Sequence, residues 1–193
     1  MISLFDPDYS DNNPFPHCGW DALISPGDAD AVLDWLERDA PWHLRVESFY
    51  EQHEFSLLDT PPPADLFQFV SAETIASVAI ELERLFELDR HLTLVDVSAH
   101  RLSAGQTIRV HNDYLGSEET HRLILQFNRG WTLDNGGLLM LFCSENAEDV
   151  HSVLLPVHGS GFAFGISPQS FHAVSTIRSG ERYTLVYTFK ADG

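Results

Sequence analysis

Lysine, cysteine and long apolar runs are all scarce in this chain, and each scarcity closes off a class of protein. Lys190 is the one lysine among 11 basic residues, set against 29 acidic ones, and the formal net charge is −18. Such a field repels phosphate backbones and anionic membrane surfaces, so neither nucleic acid nor membrane is expected as a partner, whereas a cationic substrate would be attracted. The two cysteines, Cys18 and Cys143, offer no disulfide framework. No apolar stretch reaches the roughly 18–20 residues of a membrane-crossing helix. The opening Met-Ile-Ser-Leu-Phe-Asp-Pro-Asp lacks the basic and apolar regions of a secretion signal. A cytoplasmic globular protein is the expectation. At 193 residues and 44% apolar content, one core needs no metal or disulfide for stability.

The chain divides by character into residues 1–91 and 92–193 of one expected domain. Residues 1–25 are rich in Asp, Asn and Pro and predict an irregular arm. Ser25-Pro26-Gly27-Asp28 reads as a helix start, and Ala31, Val32, Trp35 and Leu36 keep helical spacing as far as Pro41. Residues 42–58 predict strand-like segments. A second helix is predicted over about 71–88, with Ile75, Val78, Ala79, Leu82, Leu85 and Phe86 on one stripe. From residue 92 onward eight short apolar runs follow one another, separated by Gly, Asn, Asp and Ser: 92–100, 107–112, 121–127, 138–142, 153–157, 162–166, 171–177 and 183–189. That pattern predicts an antiparallel sandwich or barrel. The fold class is α+β and mainly β, with the helices against an outer sheet face.

His111-Asn112-Asp113 is the first chemical candidate. In a strand, residues two apart share a face, so the imidazole and the carboxylate can meet one ion. With ten His and sixteen Asp in the chain, about 0.8 such pairs arise by chance, and the motif alone carries nothing. His172 adds weight, because it opens a predicted strand 59 residues after Asp113. Two His and one carboxylate form the facial triad of non-haem Fe(II) oxygenases. Ten positions further lies Arg182, which shares a strand face with Thr184 and Val186; its planar guanidinium suits a carboxylate.

These residues, with Phe127-Asn128-Arg129-Gly130-Trp131 and Asp134-Asn135-Gly136-Gly137-Leu138 between them, resemble the Fe(II)/2-oxoglutarate-dependent dioxygenases of the prolyl 4-hydroxylase-like branch. The resemblance covers about residues 93–190. It implies a double-stranded β-helix, or jelly roll, as a catalytic core over 92–193, with the arm and helices of 1–91 in support. It implies that His111, Asp113 and His172 bind Fe(II), that Arg182 pairs with the C5 carboxylate of 2-oxoglutarate, and that Thr184 adds a hydroxyl contact. Gln126 stands where relatives place a Tyr near the cosubstrate, and Arg101 stands at another such position. The resemblance also implies O₂ as the co-oxidant and allows ascorbate as an accessory reductant.

The activity implied is hydroxylation of an unactivated C–H bond, on an aminoacyl residue in a peptide or protein. A free amino acid is the alternative substrate, and the acidity favours a cationic one. Peptide recognition would draw on residues 1–25, 42–60 and the 113–121 loop with its Glu118-Glu119 pair. A metal-binding cupin of other chemistry and a non-catalytic jelly-roll module are the rival classes. His100 and Arg109 lie on strands leading to the site, while His17-Cys18 has no second pair at metal-binding spacing. Trp131 is expected to pack, and Gly136-Gly137 to serve a tight turn or close backbone approach.

Overall fold

The computed structural model describes residues 6–192. Two helices and twelve strands run in the order β1 (Tyr9–Asp11), β2 (His17–Trp20), α1 (Pro26–Arg38), β3 (His43–Val46), β4 (Glu51–Ser56), α2 (Ala72–Leu85), β5 (Leu92–Ser103), β6 (Ile108–His111), β7 (His121–Gln126), β8 (Leu139–Phe142), β9 (Val150–Leu154), β10 (Gly161–Gly165), β11 (His172–Val174) and β12 (Glu181–Ala191). Two antiparallel sheets result. The major one has the order β1-β2-β10-β7-β12-β5-β4-β3 and the minor one β6-β11-β8-β9, which is the two-sheet jelly roll.

The central strand β12 explains the layering. Tyr183, Leu185, Tyr187 and Phe189 point to the outer face, where they join Val97 and Ala99 of β5 and Leu123 and Leu125 of β7 in the largest apolar core. Both helices cover that face, through Ala29, Val32, Leu33 and Leu36 of α1 and Val78, Ala79 and Leu82 of α2. Each helix starts where a serine caps it. Ser25 accepts from the Asp28 amide and Ser71 from the Thr74 amide, both at 3.2 Å, contacts of about 1 kcal/mol each. The alternate residues Arg182, Thr184, Val186 and Thr188 face the minor sheet across a cavity of about 680 Å³. The outer face thus carries the largest core, while the inner side combines polar groups with smaller apolar clusters such as Leu139, Leu141, Phe162 and Phe164.

Two expectations shift. The N-terminal arm is not irregular over the described residues: β2 is buried and pairs with β10, extending the major sheet, and β1 pairs with β2. Its Asp and Pro content hid this, but Gly19 lets the Tyr9 ring lie over the strand where any Cβ would collide, and Cys18 and Trp20 enter the core. The strand expected at 153–157 runs instead over Val150–Leu154, because Pro156 has no N–H to continue a ladder.

Candidate active site

His111 ends β6 and His172 opens β11, and the two are direct cross-strand partners with ring centroids 4.2 Å apart. Asp113 follows in a left-handed backbone conformation, φ 58°, which turns its carboxylate back beneath both imidazoles. Asp113 Oδ1 lies 3.3 Å from His111 Nε2, and Oδ2 lies 3.1 Å from His172 Nε2. All three ligand atoms fall within 4.8 Å of one another.

Backbone carbonyls aim the imidazoles. His111 Nδ1 bonds the Arg109 carbonyl at 2.9 Å and His172 Nδ1 bonds the Ser170 carbonyl at 2.8 Å. A carbonyl can only accept, so Nδ1 carries a proton in each ring, and Nε2 is the nitrogen left facing inward. Ser170 is fully buried and touches both ligand segments, since its hydroxyl donates to the Asn112 carbonyl at 2.8 Å. Phe49 stacks on the His111 ring at 4.5 Å.

Electrostatics then demand a cation. Burial, together with the neighbouring His111, lowers the His172 pKa and favours the neutral ring. Burial alone would raise the Asp113 pKa, but the Arg122 charge and the two histidines outweigh it and hold the carboxyl well below the usual carboxylate range. The neutral His172 ring thus faces an ionised carboxylate, an arrangement that a bound ion relieves. Cis ligands of an octahedral ion with bonds of about 2.1 Å sit about 3 Å apart, and the spacings seen here match that. The donor set of two imidazoles and one carboxylate suits Fe(II) with three positions left open.

Two arginines on neighbouring strands, Arg182 buried and Arg122 half-buried, face this centre. Arg182, on β12, is 5% exposed and makes no ion pair or side-chain hydrogen bond among the described residues. Its burial pushes its pKa down to about 10. Arg122, on β7, donates to Asp113 Oδ2 at 2.6 Å and to Glu119 Oε2 at 2.7 Å. Burial would lower the Arg122 pKa, but the Asp113 and Glu119 charges raise it.

The other expected residues divide. Thr184 lines the cavity beside Arg182, as strand alternation required. Gln126 is the cross-strand partner of Thr184 and is buried, yet it does not reach the cavity lining; its Oε1 accepts from Asn128 at 3.4 Å. His100 lines the cavity, bonds Ser98 at 3.0 Å, and burial pushes its pKa down to about 4. Arg101 points away and lies 5.2 Å over the Trp42 ring. Arg109 donates to the Ser48 carbonyl. His17 Nδ1 bonds the Phe15 carbonyl, with no metal-binding partner near it among the described residues.

The Asn-Arg-Gly-Trp segment builds the arginine seat. Asn128 Oδ1 accepts from the Tyr183 amide at 2.7 Å, and Trp131 Nε1 donates to the Gly136 carbonyl at 2.8 Å. A Cβ on Gly137 would press on Ile177 at 2.5 Å and on the Arg182 stem at 3.0 Å. Arg122 and Ser170 are the residues that sequence reasoning missed. Arg122 was within reach, because alternation back from Gln126 through Ile124 puts it on the same inward face.

Residues 97–189 match the family model of the 2OG-Fe(II) oxygenase superfamily, a span that contains the triad and Arg182. The match supports a 2-oxoglutarate- and Fe(II)-dependent oxygenase core over that span. Solved structures share the fold. A Pseudomonas putida prolyl-4-hydroxylase superposes with TM-score 0.65 at 18% identity, over 92% of this chain and 93% of that one. A Trichoplax adhaerens prolyl hydroxylase in complex with a hypoxia inducible factor peptide fragment gives TM-score 0.69 at 14% identity, over 90% and 83%. A viral collagen prolyl hydroxylase from Paramecium Bursaria Chlorella virus-1, in its 2OG complex, gives TM-score 0.67 at 13% identity, over 91% and 96%. No curated protein matches the chain in sequence. Among the described residues no helix is long and apolar enough to cross a membrane.

Proposed function

We propose that the protein hydroxylates a C–H bond of an aminoacyl residue within a peptide, with His111, Asp113 and His172 holding Fe(II) and Arg182 anchoring 2-oxoglutarate by its far carboxylate. The observation that carries this reading is the buried, unpaired Arg182 facing a two-His, one-carboxylate cluster across one cavity. A buried cation without a counter-charge is costly unless a ligand completes it. When bound, iron and 2-oxoglutarate supply with O₂ the oxidising power, giving succinate and CO₂ alongside the hydroxylated product. The chain's own part is placement. Arg182 fixes one end of the dicarboxylate by charge-assisted bonds, Thr184 adds a hydroxyl beside it, and Ile108, Ile124, Leu139 and Val174 line the cavity with apolar side chains.

Two features favour a peptide over a free amino acid. The cavity is larger than a five-carbon dicarboxylate needs, and its lining extends to Arg45, Glu47, Phe49, Tyr50, Tyr114 and Leu115, of which Tyr114 and Leu115 are exposed. A free amino acid would also need a cation for its carboxylate. Arg45 is already held by Glu47 and Glu54, Arg122 by Asp113 and Glu119, and Arg182 by the proposed cosubstrate role. Asp96 and Glu145 also line the cavity, without a basic partner among the described residues, and they favour a cationic peptide. The prolyl hydroxylases among the structural neighbours make a prolyl residue the first to try. The test is succinate release with one residue supplied free and within a short basic peptide, at low and high salt. Faster coupled turnover of the peptide, weakened by salt, is expected. Faster turnover of the free amino acid would overturn the peptide assignment.

A further inference from the structure

We propose that Asp96 is a specificity-determining residue that takes the ammonium of a lysyl side chain of the peptide, at the end of the cavity opposite Arg182. This rests on the peptide-oxygenase reading above and names the group that is recognised. The inner face of the major sheet is a ladder of side chains set by strand register. Along it Arg182 pairs with Leu102, Thr184 with His100, Val186 with Ser98, and Thr188 with Asp96. Arg182 and Thr188 lie on one strand, so the two ends of the ladder stand about 20 Å apart. A five-carbon dicarboxylate held by Arg182 does not span that distance, and as a dianion it is repelled by Asp96. The far end is therefore left to the substrate. It is also the end nearer the metal ligands, because Thr188 has Asp96 on one side and Arg122 on the other, and Arg122 grips Asp113.

Asp96 is built to receive one cation. The Ser56 hydroxyl accepts from the Leu58 and Asp59 amides at 3.1 and 3.4 Å, which turns its single proton onto Asp96 Oδ1 at 2.6 Å. Asp96 Oδ2 makes no hydrogen bond or ion pair among the described residues, and the residue is half-buried on the cavity wall. The cations that could reach it are engaged elsewhere: Arg122 by Asp113 and Glu119, Arg45 by Glu47 and Glu54, and Lys190 by Glu118. The strand is shaped at this point as well. Thr188 pairs with Asp96 but Phe189 pairs with Leu94, so Val95 is an extra, bulged residue. The bulge sends Leu94 to the outer core instead of following Asp96 into the cavity, and bulges commonly re-aim side chains beside a site. Val186 and Ile124, paired one step nearer Arg182, give apolar surface for the methylenes of a long side chain. With Oδ1 held by Ser56, one free oxygen suits the point charge of an ammonium better than the two-pronged fork of a guanidinium.

The test is calorimetric titration of capped pentapeptides into the protein loaded with Co(II) and 2-oxoglutarate. Each peptide has a central proline and one variable residue, lysine, arginine, norleucine or glutamate, placed before or after it. In wild type the lysyl peptide is expected to bind about 10-fold more tightly than the norleucyl one at one of these placements, as for a partly buried charge pair. The arginyl peptide should fall between them and the glutamyl peptide should bind most weakly. Asp96→Asn should reduce the lysyl-to-norleucyl ratio to within about threefold, what the overall acidity alone sustains, whereas Glu145→Gln, which removes an exposed charge of the same sign, should keep most of it. Each ratio is taken within one protein, so a loss of stability does not move it. A wild-type ratio retained in Asp96→Asn overturns the proposal, and so does a wild type that binds the lysyl and norleucyl peptides alike or binds neither. Should Asp96→Asn not fold, an undiminished ratio in Asp96→Ser overturns it equally. A wild-type protein that takes up no Co(II) or no 2-oxoglutarate overturns the oxygenase reading itself, whereas uptake of both without a lysyl preference overturns the role of Asp96 alone.

Discussion

Arg122 and Arg182 face one cavity from neighbouring strands, yet their surroundings are opposite. Arg122 sits between two carboxylates, at 2.6 and 2.7 Å, whereas Arg182 has no ion pair among the described residues and is the more buried of the two. A satisfied buried cation is part of the architecture, while an unsatisfied one marks a place reserved for a ligand. On the proposed reading the same residue type serves in one place as structure and in the other as a receptor, and the partners of each separate the two. The comparison also implies a conflict between stability and function at Arg182 that does not exist at Arg122.

The widest separation between the two sites should appear in cosubstrate binding. Arg182→Ala is expected to weaken 2-oxoglutarate binding by some 30- to several-thousand-fold, from about 2–5 kcal/mol for a secluded charge pair, with Co(II) affinity nearly unchanged. Arg182→Lys should recover only part. Calorimetric titration of each variant checks this, and an unaltered 2-oxoglutarate isotherm in Arg182→Ala would end the distinction drawn here.

Stability of the metal-free protein should move in opposite directions. Burial disfavours the Arg182 charge, with its pKa at about 10 rather than 12.5. Removing that charge in Arg182→Met should therefore stabilise the apo fold by about 1–3 kcal/mol, a rise of a few degrees in Tm. Arg122→Met should destabilise it by about 2–4 kcal/mol, because Asp113 and Glu119 lose their common partner. Thermal melts without metal or 2-oxoglutarate read both, and shifts of the same sign would undo the comparison.

Acid should act on a third group of polar residues, the neutral buried histidines. Burial pushes His100 and His121 down to about 4 from 6.5. Between these values the unfolded chain binds more protons than the folded one, so stability is complete above about pH 6.5 and is lost as pH falls toward 4. His121→Phe should flatten the Tm-versus-pH curve in that window, and an unchanged slope would refute its part in the loss. The smallest effect is expected from Gly137→Ala. At φ 64° and against the Arg182 stem, the added methyl should cost about 1–2 kcal/mol and weaken 2-oxoglutarate binding a few-fold. Co(II) affinity should not follow, and a larger loss of metal than of cosubstrate would mean that the two seats are not separable.

Much of this site was legible because strand alternation is local. The period of two placed Arg182, Thr184 and Val186 on one face before any coordinates, and all three line the cavity. The order of His111, Asp113 and His172 along predicted strands gave the metal cluster. The helices were legible from their serine caps and apolar stripes. Non-local pairing was not legible. Nothing in the spacing of Asp113 and Arg122 says that the intervening turn brings them to 2.6 Å. Glu119 is expected with Glu118 on a peptide-recognition rim, and only the fold turns it inward onto an arginine. Gln126 shows the converse limit, since the resemblance set it beside the cosubstrate but the fold leaves it outside the cavity lining. Strand β2 escaped notice because its partner, β10, lies more than a hundred residues away in the chain.

The left-handed backbone of Asp113 has a consequence for how this site can change over evolutionary time. Among side-chain-bearing residues, Asp and Asn tolerate that conformation best, and Gly adopts it freely. A lineage can therefore lose the carboxylate through Asn or Gly while the loop keeps its shape. Glu119 would still hold Arg122, and Arg182 would still await an anion. The descendant would keep the loop's shape without the carboxylate, at the cost of the Asp113–Arg122 ion pair. The opposite exchange, to Glu, keeps the charge but meets an unfavourable backbone and a longer reach. The conformation at this one residue thus makes the loss of oxidation easier than its relocation.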